Sequence, residues 1–175
     1  NLALLADEDI ELAGVDYSVP MLEIAIKKAE RLVRARKIAF ICGDAANLPF
    51  PDGHFDCVGI SFAFRNLTYK NPWAPRYLTE VWRVLSPGGR FIVIETSQPK
   101  TKLIRALFHL YLRWFVFKLG RLLSGNRGAY YYLAESAAHF YTTGELQEIL
   151  AVVGFRRVFF RPLFLGAIAL HIAIK

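Results

Sequence analysis

A join between a helix and a strand at residues 83–97 constrains the fold of this chain more than any other feature. The run Arg-Val-Leu-Ser-Pro-Gly-Gly predicts a helix that ends on the Pro-Gly-Gly sequence at 87–89. An apolar run from Gly89 to Glu95 follows at once, and it closes on an acid and two hydroxyl residues. A buried strand that starts so soon after a helix is typical of α/β domains with a mainly parallel sheet.

Strands and helices alternate with short joins along most of the 175 residues, a length that fits one domain. Apolar runs predict strands at 11–16, 38–42, 55–62 and 89–95, and helical spacing predicts helices at 19–35 and 72–85. Thr142 and Glu145 have the spacing of a capping box, and Gly154 is placed to end their helix. The strands at 155–160 and 167–174 are close enough to form an antiparallel hairpin.

The predicted fold is therefore a single α/β domain over residues 1–175. Its sheet is expected to be Rossmann-like, doubly wound and mainly parallel, with the antiparallel hairpin at the C-terminal edge. Cys42 and Cys57 lie in strand-like runs without the spacing of metal ligands. They are predicted to be reduced core thiols of an intracellular protein, and no metal site is expected.

Positive charge is concentrated in one apolar segment. The net charge is +7, and no acid lies between Glu95 and Glu135, whereas seven basic residues do: Lys100, Lys102, Arg105, Arg113, Lys118, Arg121 and Arg127. Large apolar side chains are interleaved with them, and the charges interrupt the segment too often for it to cross a bilayer. We expect 101–140 to be a lid or an insertion at an anionic membrane surface. The alternatives are a core helix that packs on the sheet and a contact in a homodimer.

Two acids follow neighbouring predicted strands, at the end where such sheets bind ligands. Asp16 ends the first strand, and a carboxylate there can accept two hydrogen bonds from a ribose diol. The alternative is an acid that caps the helix beginning near Ser18. Asp44 lies 28 residues later in a Gly-Asp-Ala turn. Its carboxylate can accept a hydrogen bond from the amino group of adenine, while the backbone amide of Ala45 donates one to a ring nitrogen.

Several segments of the sequence match motifs of one enzyme family. They are VDYSVPML at 15–22, GDAANLPFPDGHFDCV at 43–58, SFAFRNL at 61–67, RVLSPGGRFIVIETS at 83–97, SGNRGAYYYLAES at 124–136 and GAIALH at 166–171. Together they resemble the UbiE-type C-methyltransferases of ubiquinone and menaquinone biosynthesis. That family belongs to the class I methyltransferases, which use S-adenosylmethionine (SAM). FAFRN, the tyrosine-rich segment and the closing GAIALH are the more specific parts.

The resemblance implies SAM as the cofactor. Asp16 would hold the ribose, Asp44 and Ala45 the adenine, and Ser61 would line the methionine side. Met21 would lie against the adenine face, with a buried core position as its alternative. In the family, the first strand and a glycine-rich loop precede a helix. Residues 2–6 of this chain are predicted to be the end of that helix. We therefore expect that this chain lacks that strand and loop and is part of a longer protein with further N-terminal helices.

The resemblance also assigns the chemistry. Methylation of a quinol ring carbon requires that a phenolic proton be removed or polarised, and a nearby cation stabilises the resulting charge. Arg65 and Asn66 follow the strand at 55–62 and are the predicted catalytic residues. A structural arginine bonded to the carbonyls of its own loop is the alternative for Arg65. Tyr130 and Tyr132 are candidates for substrate contact, although packing is the plainer role of such tyrosines.

The four histidines are weaker candidates. His109 and His139 are possible general bases by residue type, whereas His54 is predicted to be solvated in a turn. His171, in the last strand, is predicted to be a core or edge residue with satisfied hydrogen bonds.

The predicted function is SAM-dependent C-methylation of a demethylated menaquinol or ubiquinol precursor. An isoprenoid quinol is the expected partner, and the expected location is cytoplasmic, peripheral at the inner face of the membrane. One alternative is another small-molecule methyltransferase with a sterol, tocopherol-like or other lipid acceptor. Another is a truncated, non-catalytic fragment that binds a membrane or a protein partner. A nucleic-acid substrate is not expected, because the basic residues do not form a polar face and no catalytic Asn/Asp-Pro-Pro-Tyr motif is present.

Overall fold

The computed structural model describes residues 10–31, 38–116 and 127–175, and it describes only the backbone of residues 115, 116, 127, 129 and 130. The helix tail predicted at 2–6 and the basic residues Lys118 and Arg121 lie outside the described residues. The chain divides into two compact units, Asn1–Phe50 and Pro51–Lys175.

The first unit is a β-α-β arrangement. Strand β1 (Leu12–Asp16) and strand β2 (Ile38–Cys42) pair in parallel, and helix α1 (Val19–Glu30) connects them in sequence. Ser18 is the residue that precedes α1, and proline lies in the first turn, as predicted. Proline fits there because the first amides of a helix have no partner within it.

The second unit contains a four-stranded mixed sheet. Its strands are β3 (Phe55–Ser61), β4 (Leu85–Thr96), β5 (Arg157–Leu163) and β6 (Ile168–Ile174), in the order β3-β4-β6-β5. β3 and β4 are parallel, whereas β6 is antiparallel to both β4 and β5. The predicted antiparallel hairpin at the sheet edge is therefore confirmed. Pro162 is tolerated in β5 because an edge strand has unpaired backbone groups on one side.

Five helices of the second unit lie in the described ranges. They are α2 (Phe64–Thr68), α3 (Ala74–Val84), α4 (Lys102–Tyr111), which continues into a π-helical segment at Leu112–Val116, α5 (Arg127–Ala138) and α6 (Thr143–Val153). The capping box at the start of α6 is confirmed, because Thr142 and Glu145 exchange hydrogen bonds. Gly154 ends α6 with φ of 115°, in the left-handed region. The sequence had not predicted α2.

The helix predicted at 72–85 is confirmed, because α3 ends at Val84. The strand predicted from Gly89 begins four residues earlier, at Leu85, so the Pro-Gly-Gly sequence lies inside β4 and not between the two elements. The register with β3 jumps from Phe55 opposite Leu85 to Cys57 opposite Arg90, so residues 86–89 form a bulge in the strand. The carbonyls at the end of α3 are satisfied instead by the amine of Lys175, which donates to Trp82 O at 2.7 Å and Leu85 O at 2.6 Å.

The main core lies between the four-stranded sheet and helices α2, α3 and α6. Its buried residues are Phe64, Leu78, Leu85, Phe91, Val93, Phe140, Leu146, Leu150, Phe155 and Ala173. A smaller cluster joins the π-helical segment to α5 through Leu112, Ala134 and Ala137. Both cysteines are free, but they are exposed, so the prediction of core thiols is wrong. Because side chains alternate along a strand and Val58 packs on the core, its neighbour Cys57 faces away from it.

Candidate functional site

Asp16 and Asp44 lie at the same end of two adjacent strands. Asp16 is the last residue of β1 and pairs with Cys42, the last residue of β2. The backbone amide of Gly43 donates to Asp16 O at 3.1 Å, so β2 is held beside β1 up to the residue before Asp44. Adjacent strands are only ~4.8 Å apart, so both carboxylates lie at one edge of the first unit.

Each of these carboxylates uses one oxygen to fix its own turn. Asp16 Oδ1 accepts from the amide of Ser18 at 2.8 Å, and Asp44 Oδ1 accepts from the amide of Ala46 at 2.8 Å. Both are turns in which an aspartate bonds the backbone two residues on. Within the described part of the chain, neither Oδ2 atom accepts a hydrogen bond. One oxygen of each exposed carboxylate is therefore left for a ligand.

Ala45 and Met21 lie near the two acids in sequence. Ala45 is half-buried, and its amide hydrogen has no acceptor among residues 10–31 and 38–50. Met21 lies in the first turn of α1, and its side chain is 53% exposed. The alternative of a buried core methionine is therefore wrong, because Leu22 is the residue of this turn that faces inward. These residues together offer two hydrogen-bond acceptors in Asp16 and Asp44, a donor in the amide of Ala45 and an apolar side chain in Met21.

The second unit presents a polar turn at the carboxyl end of β3. Ser61 is the last residue of this strand, and it is exposed. Phe62 follows with φ of 54°, an unusual value for a bulky residue, and its amide donates to Ile94 O at 2.9 Å. Helix α2 starts two residues later. Asn66 is exposed on it, and its side-chain amide forms no hydrogen bond within the described chain.

Arg65 lies beneath this turn in a buried ion pair. Its Nη1 donates to Glu95 Oε1 at 2.8 Å and to Thr96 Oγ1 at 3.2 Å, and its backbone amide donates to Glu95 Oε2 at 3.1 Å. The side chains of Arg65 and Glu95 are 5% and 1% exposed. Both are withdrawn from water, so each charge depends on the other. The Nε of Arg65 has no partner in the described chain.

Glu95 is a site residue that the sequence interpretation missed. Both of its oxygens accept from Arg65, and Oε1 also accepts from the amide of Thr96 at 2.8 Å. A signal was present, since an acid at the carboxyl end of a buried strand requires a partner. The partner could not be identified from the sequence, because Arg65 precedes Glu95 by 30 residues and the intervening α3 gives no hint of the contact.

The tyrosine and histidine candidates lie on α4 and α5 or near them. The Tyr132 ring is partly exposed and lies 6.5 Å from the ring of Tyr69, whereas only the backbone of Tyr130 is described. His109 Nε2 lies 2.9 Å from Gln98 Oε1, and burial lowers the pKa of this imidazole. His139 is exposed and bonds the Glu135 carbonyl through Nδ1 at 3.0 Å. None of these residues contacts Arg65 or Asn66 through a described hydrogen bond.

The remaining two histidines, His54 and His171, lie in a turn and in a strand. His54 is exposed in a turn, as predicted. His171 is buried in the middle of β6 beside Phe160, and neither ring nitrogen forms a well-directed hydrogen bond with a described residue. The prediction of a core position is confirmed, but that of satisfied bonds is wrong. No cluster of three or more His, Cys, Asp or Glu side chains in the described ranges is arranged to hold a metal ion.

Comparisons of sequence identify the family of the chain. The family model described as the ubiE/COQ5 methyltransferase family matches residues 1–175. A demethylmenaquinone methyltransferase from Thermus thermophilus is 39% identical over 175 residues, which cover 98% of this chain and 76% of that protein. A ubiquinone/menaquinone biosynthesis C-methyltransferase UbiE from Pseudomonas savastanoi is 36% identical, with 91% of this chain and 61% of that protein covered.

Solved structures agree on the fold. A SAM-dependent methyltransferase from Aquifex aeolicus superposes with a TM-score of 0.65 at 17% identity, covering 99% of this chain and 72% of its own. One from Methanosarcina mazei gives 0.57 at 20% identity, covering 94% and 80%. At such identities the likeness concerns the fold, and it confirms the predicted Rossmann-like α/β class.

Proposed function

Because the chain belongs to the ubiE/COQ5 methyltransferase family, we propose that it transfers a methyl group from SAM to a ring carbon of a demethylated menaquinol or ubiquinol precursor. The observation that carries the proposal is the pair of exposed carboxylates, Asp16 and Asp44, at the ends of adjacent parallel strands. A carboxylate oxygen of each is left for hydrogen-bond donors. The ribose diol and the adenine amino group of SAM supply such donors.

The residues of the first unit fit the nucleoside half of SAM. Asp16 would hold the ribose diol, and Asp44 with the amide of Ala45 would read the edge of the adenine. Met21 would cover the adenine face with an exposed, adaptable apolar side chain. When bound, SAM supplies a methyl group made electrophilic by its sulfonium, so the protein has to align the acceptor and raise its electron density.

The polar turn after β3 suits the acceptor. Ser61 would line the methionine side of the site, and Asn66 would donate its unengaged side-chain amide to a quinol oxygen. Arg65 would favour loss of the phenolic proton through the positive charge that it holds under the turn. Glu95 orients that guanidinium and balances part of its charge. Tyr130 and Tyr132 remain candidates for contact with the substrate.

An isoprenoid quinol is stored in a membrane, so we propose that the protein works at the inner face of the cytoplasmic membrane. Support comes from α4, which has no buried residue and carries large apolar side chains on its exposed face. A nucleic-acid partner would require a polar basic face instead. No helix in the described ranges combines the length and apolar character needed to span a bilayer.

The test is transfer of labelled methyl from SAM to a demethylated menaquinol, compared with transfer to RNA. Label in the quinol is the expected result, and label in RNA alone would overturn the proposed substrate class. Asp16→Ala should lower SAM affinity by about a hundredfold, because two hydrogen bonds to a charged group are lost. The measurement is calorimetric titration with SAM.

Two further variants separate ligand binding from local structure. Asp16→Asn keeps an acceptor for the Ser18 amide but loses the charge, so it should bind SAM more weakly than the native chain while retaining the start of α1. Glu23→Ala removes an exposed acid from the same helix and should bind SAM normally. Unchanged affinity in Asp16→Ala would remove Asp16 from the site.

A further inference from the structure

One face of α4 and its π-helical continuation is apolar and exposed. Its large side chains recur at helical spacing, and each is more than half exposed: Leu103, Leu107, Leu110, Tyr111 and Trp114. The opposite face is turned inward, where Phe108 packs on the small cluster around Leu112 and His109 meets Gln98. The apolar stripe therefore lies on the exposed side of α4 and its continuation.

A second exposed apolar feature is the turn between β5 and β6. Phe164 and Leu165 are 78% and 79% exposed, and they adopt φ of 47° and 58°. These left-handed values are unfavourable for bulky residues, for which glycine or asparagine would be the ordinary choice. A strained turn that presents two large apolar side chains to solvent has no explanation in the packing of the described chain.

The turn lies next to the segment that leads into α4, at the end of the sheet where β3 and β4 have their carboxyl ends. The turn joins Leu163 to Ile168, and Ile168 pairs with Thr96 at the carboxyl end of β4. A Cβ on Gly166 would lie 3.3 Å from Pro99 Cα, so the turn contacts the segment that leads into α4. Ser61 ends the neighbouring strand β3 at the same edge.

Positive charge borders both features. Lys100 precedes α4, Lys102 is in its first turn, and Arg113 follows it; all three are exposed. Acidic residues are absent from 96–134 in the sequence. Lysine and arginine beside exposed apolar side chains are the composition of a surface that enters the headgroup region of an anionic bilayer.

We propose that Phe164, Leu165 and the apolar stripe of α4 together form a membrane-docking face that inserts into the surface of an anionic bilayer. Docking by this face would place the carboxyl ends of β3 and β4 against the membrane. The purpose of that placement rests on the proposed quinol methylation. A second copy of the chain fits less well. In a two-fold contact the basic borders of both copies would face each other and repel.

The test is sedimentation of the full chain with vesicles of equal parts phosphatidylglycerol and phosphatidylcholine, compared with phosphatidylcholine alone. We expect binding to the anionic vesicles, and the double variant Phe164→Ser/Leu165→Ser should bind about tenfold more weakly because two inserted side chains are lost. Leu107→Ser/Leu110→Ser should weaken binding similarly. Val152→Ser, which alters an exposed apolar residue on α6, should bind like the native chain.

A charge pair tests the electrostatic part. Lys102→Glu should weaken binding to anionic vesicles, whereas Arg157→Glu, an exposed arginine at the other end of β5, should not. Failure of the native chain to bind, or equal binding by both double variants and the native chain, would overturn the proposal. So would a dimer in light scattering that dissociates in Phe164→Ser/Leu165→Ser, since a second copy would then be the occupant.

Membrane docking and quinol methylation can fail separately. With a quinol that lacks an isoprenoid tail and stays in water, the Phe164→Ser/Leu165→Ser variant should methylate as fast as the native chain. With a long-tailed quinol in vesicles it should be slower. Vesicle binding without methylation of either quinol would refute the proposed function and leave the docking face standing.

Discussion

At the scale of single residues, the buried pair of Arg65 and Glu95 sets the shape of the polar turn. The Glu95 carboxylate accepts hydrogen bonds from the guanidinium and from the backbone amide of Arg65. One carboxylate therefore fixes both the Arg65 side chain and the start of α2. Asn66 is the next residue, and its exposed side chain is positioned by that contact. If Asn66 binds the acceptor as we propose, Glu95 is a positioning residue for it.

The first prediction concerns this pair. Glu95→Gln keeps the size of the side chain but leaves the Arg65 charge buried and uncompensated, which should cost about 3–5 kcal/mol of the free energy of unfolding. Urea denaturation followed by circular dichroism measures the loss. Glu80→Gln breaks a more exposed ion pair with Arg83 and should cost about 1 kcal/mol or less.

The double variant Arg65→Met/Glu95→Leu completes the experiment. It removes both charges, so it should recover much of the stability that Glu95→Gln loses. Stability in Glu95→Gln equal to that of the native chain would contradict the buried pair. A role of Arg65 in the reaction predicts that the double variant is folded but methylates slowly while binding SAM normally.

At the scale of the elements, the join between α3 and β4 depends on backbone contacts that only glycine permits. A Cβ on Gly89 would lie 2.8 Å from Ser86 O and 3.2 Å from Phe55 O, and both are backbone atoms of the bulge. Neither oxygen can move without breaking the register between β3 and β4. Gly89 is therefore required because backbone oxygens approach it closely, whereas Gly88 is required by its φ of 81°.

Gly89→Ala should consequently destabilise the second unit by about 1–3 kcal/mol, the usual cost of an overpacked site. The matched control is Gly59→Ala in the adjacent strand, where a Cβ meets no atom within 4 Å. Thermal unfolding of the two variants gives the comparison. A melting temperature of Gly89→Ala equal to that of Gly59→Ala would show that the bulge relaxes freely.

How far the sequence predicted these elements depends on the range of the interactions that form them. The capping box at Thr142 and the glycine stop at 154 were predicted, because both are local hydrogen-bond patterns. The start of β4 was predicted four residues too late, because residues 86–89 form their bulge against β3, whose pairing with β4 is not local in the sequence. The Arg65–Glu95 contact escaped prediction for the same reason. Asp16 and Asp44 could be placed together because neighbouring parallel strands share one end.

At the scale of the whole molecule, stability should depend on the protonation of His171. Burial lowers the pKa of this imidazole below its ordinary value, an effect that the backbone of Thr143 partly offsets. The unfolded chain therefore binds a proton more readily than the folded chain. The contribution of His171 to the free energy of unfolding is complete at a pH where the imidazole is neutral in both the folded and the unfolded chain. It is lost as the pH falls through the ordinary histidine pKa of about 6.5 towards the lower pKa of the folded chain.

We expect the native chain to be less stable at pH 5.5 than at pH 7.5, and His171→Leu to lose less over that interval. Urea denaturation at the two pH values measures the difference. An unchanged pH dependence in His171→Leu would show that another group dominates the effect.

The two turns at Asp16 and Asp44 have a consequence for the energetics of ligand binding. Each carboxylate accepts a backbone amide through one oxygen, and the other oxygen is the one that we propose binds SAM, so the order of the turn and the proposed binding depend on the same group. Thermodynamic linkage then makes the coupling reciprocal. Under the proposed function, SAM bound to Asp16 would stabilise the first turn of α1, and a variant that destabilises this turn would bind SAM more weakly.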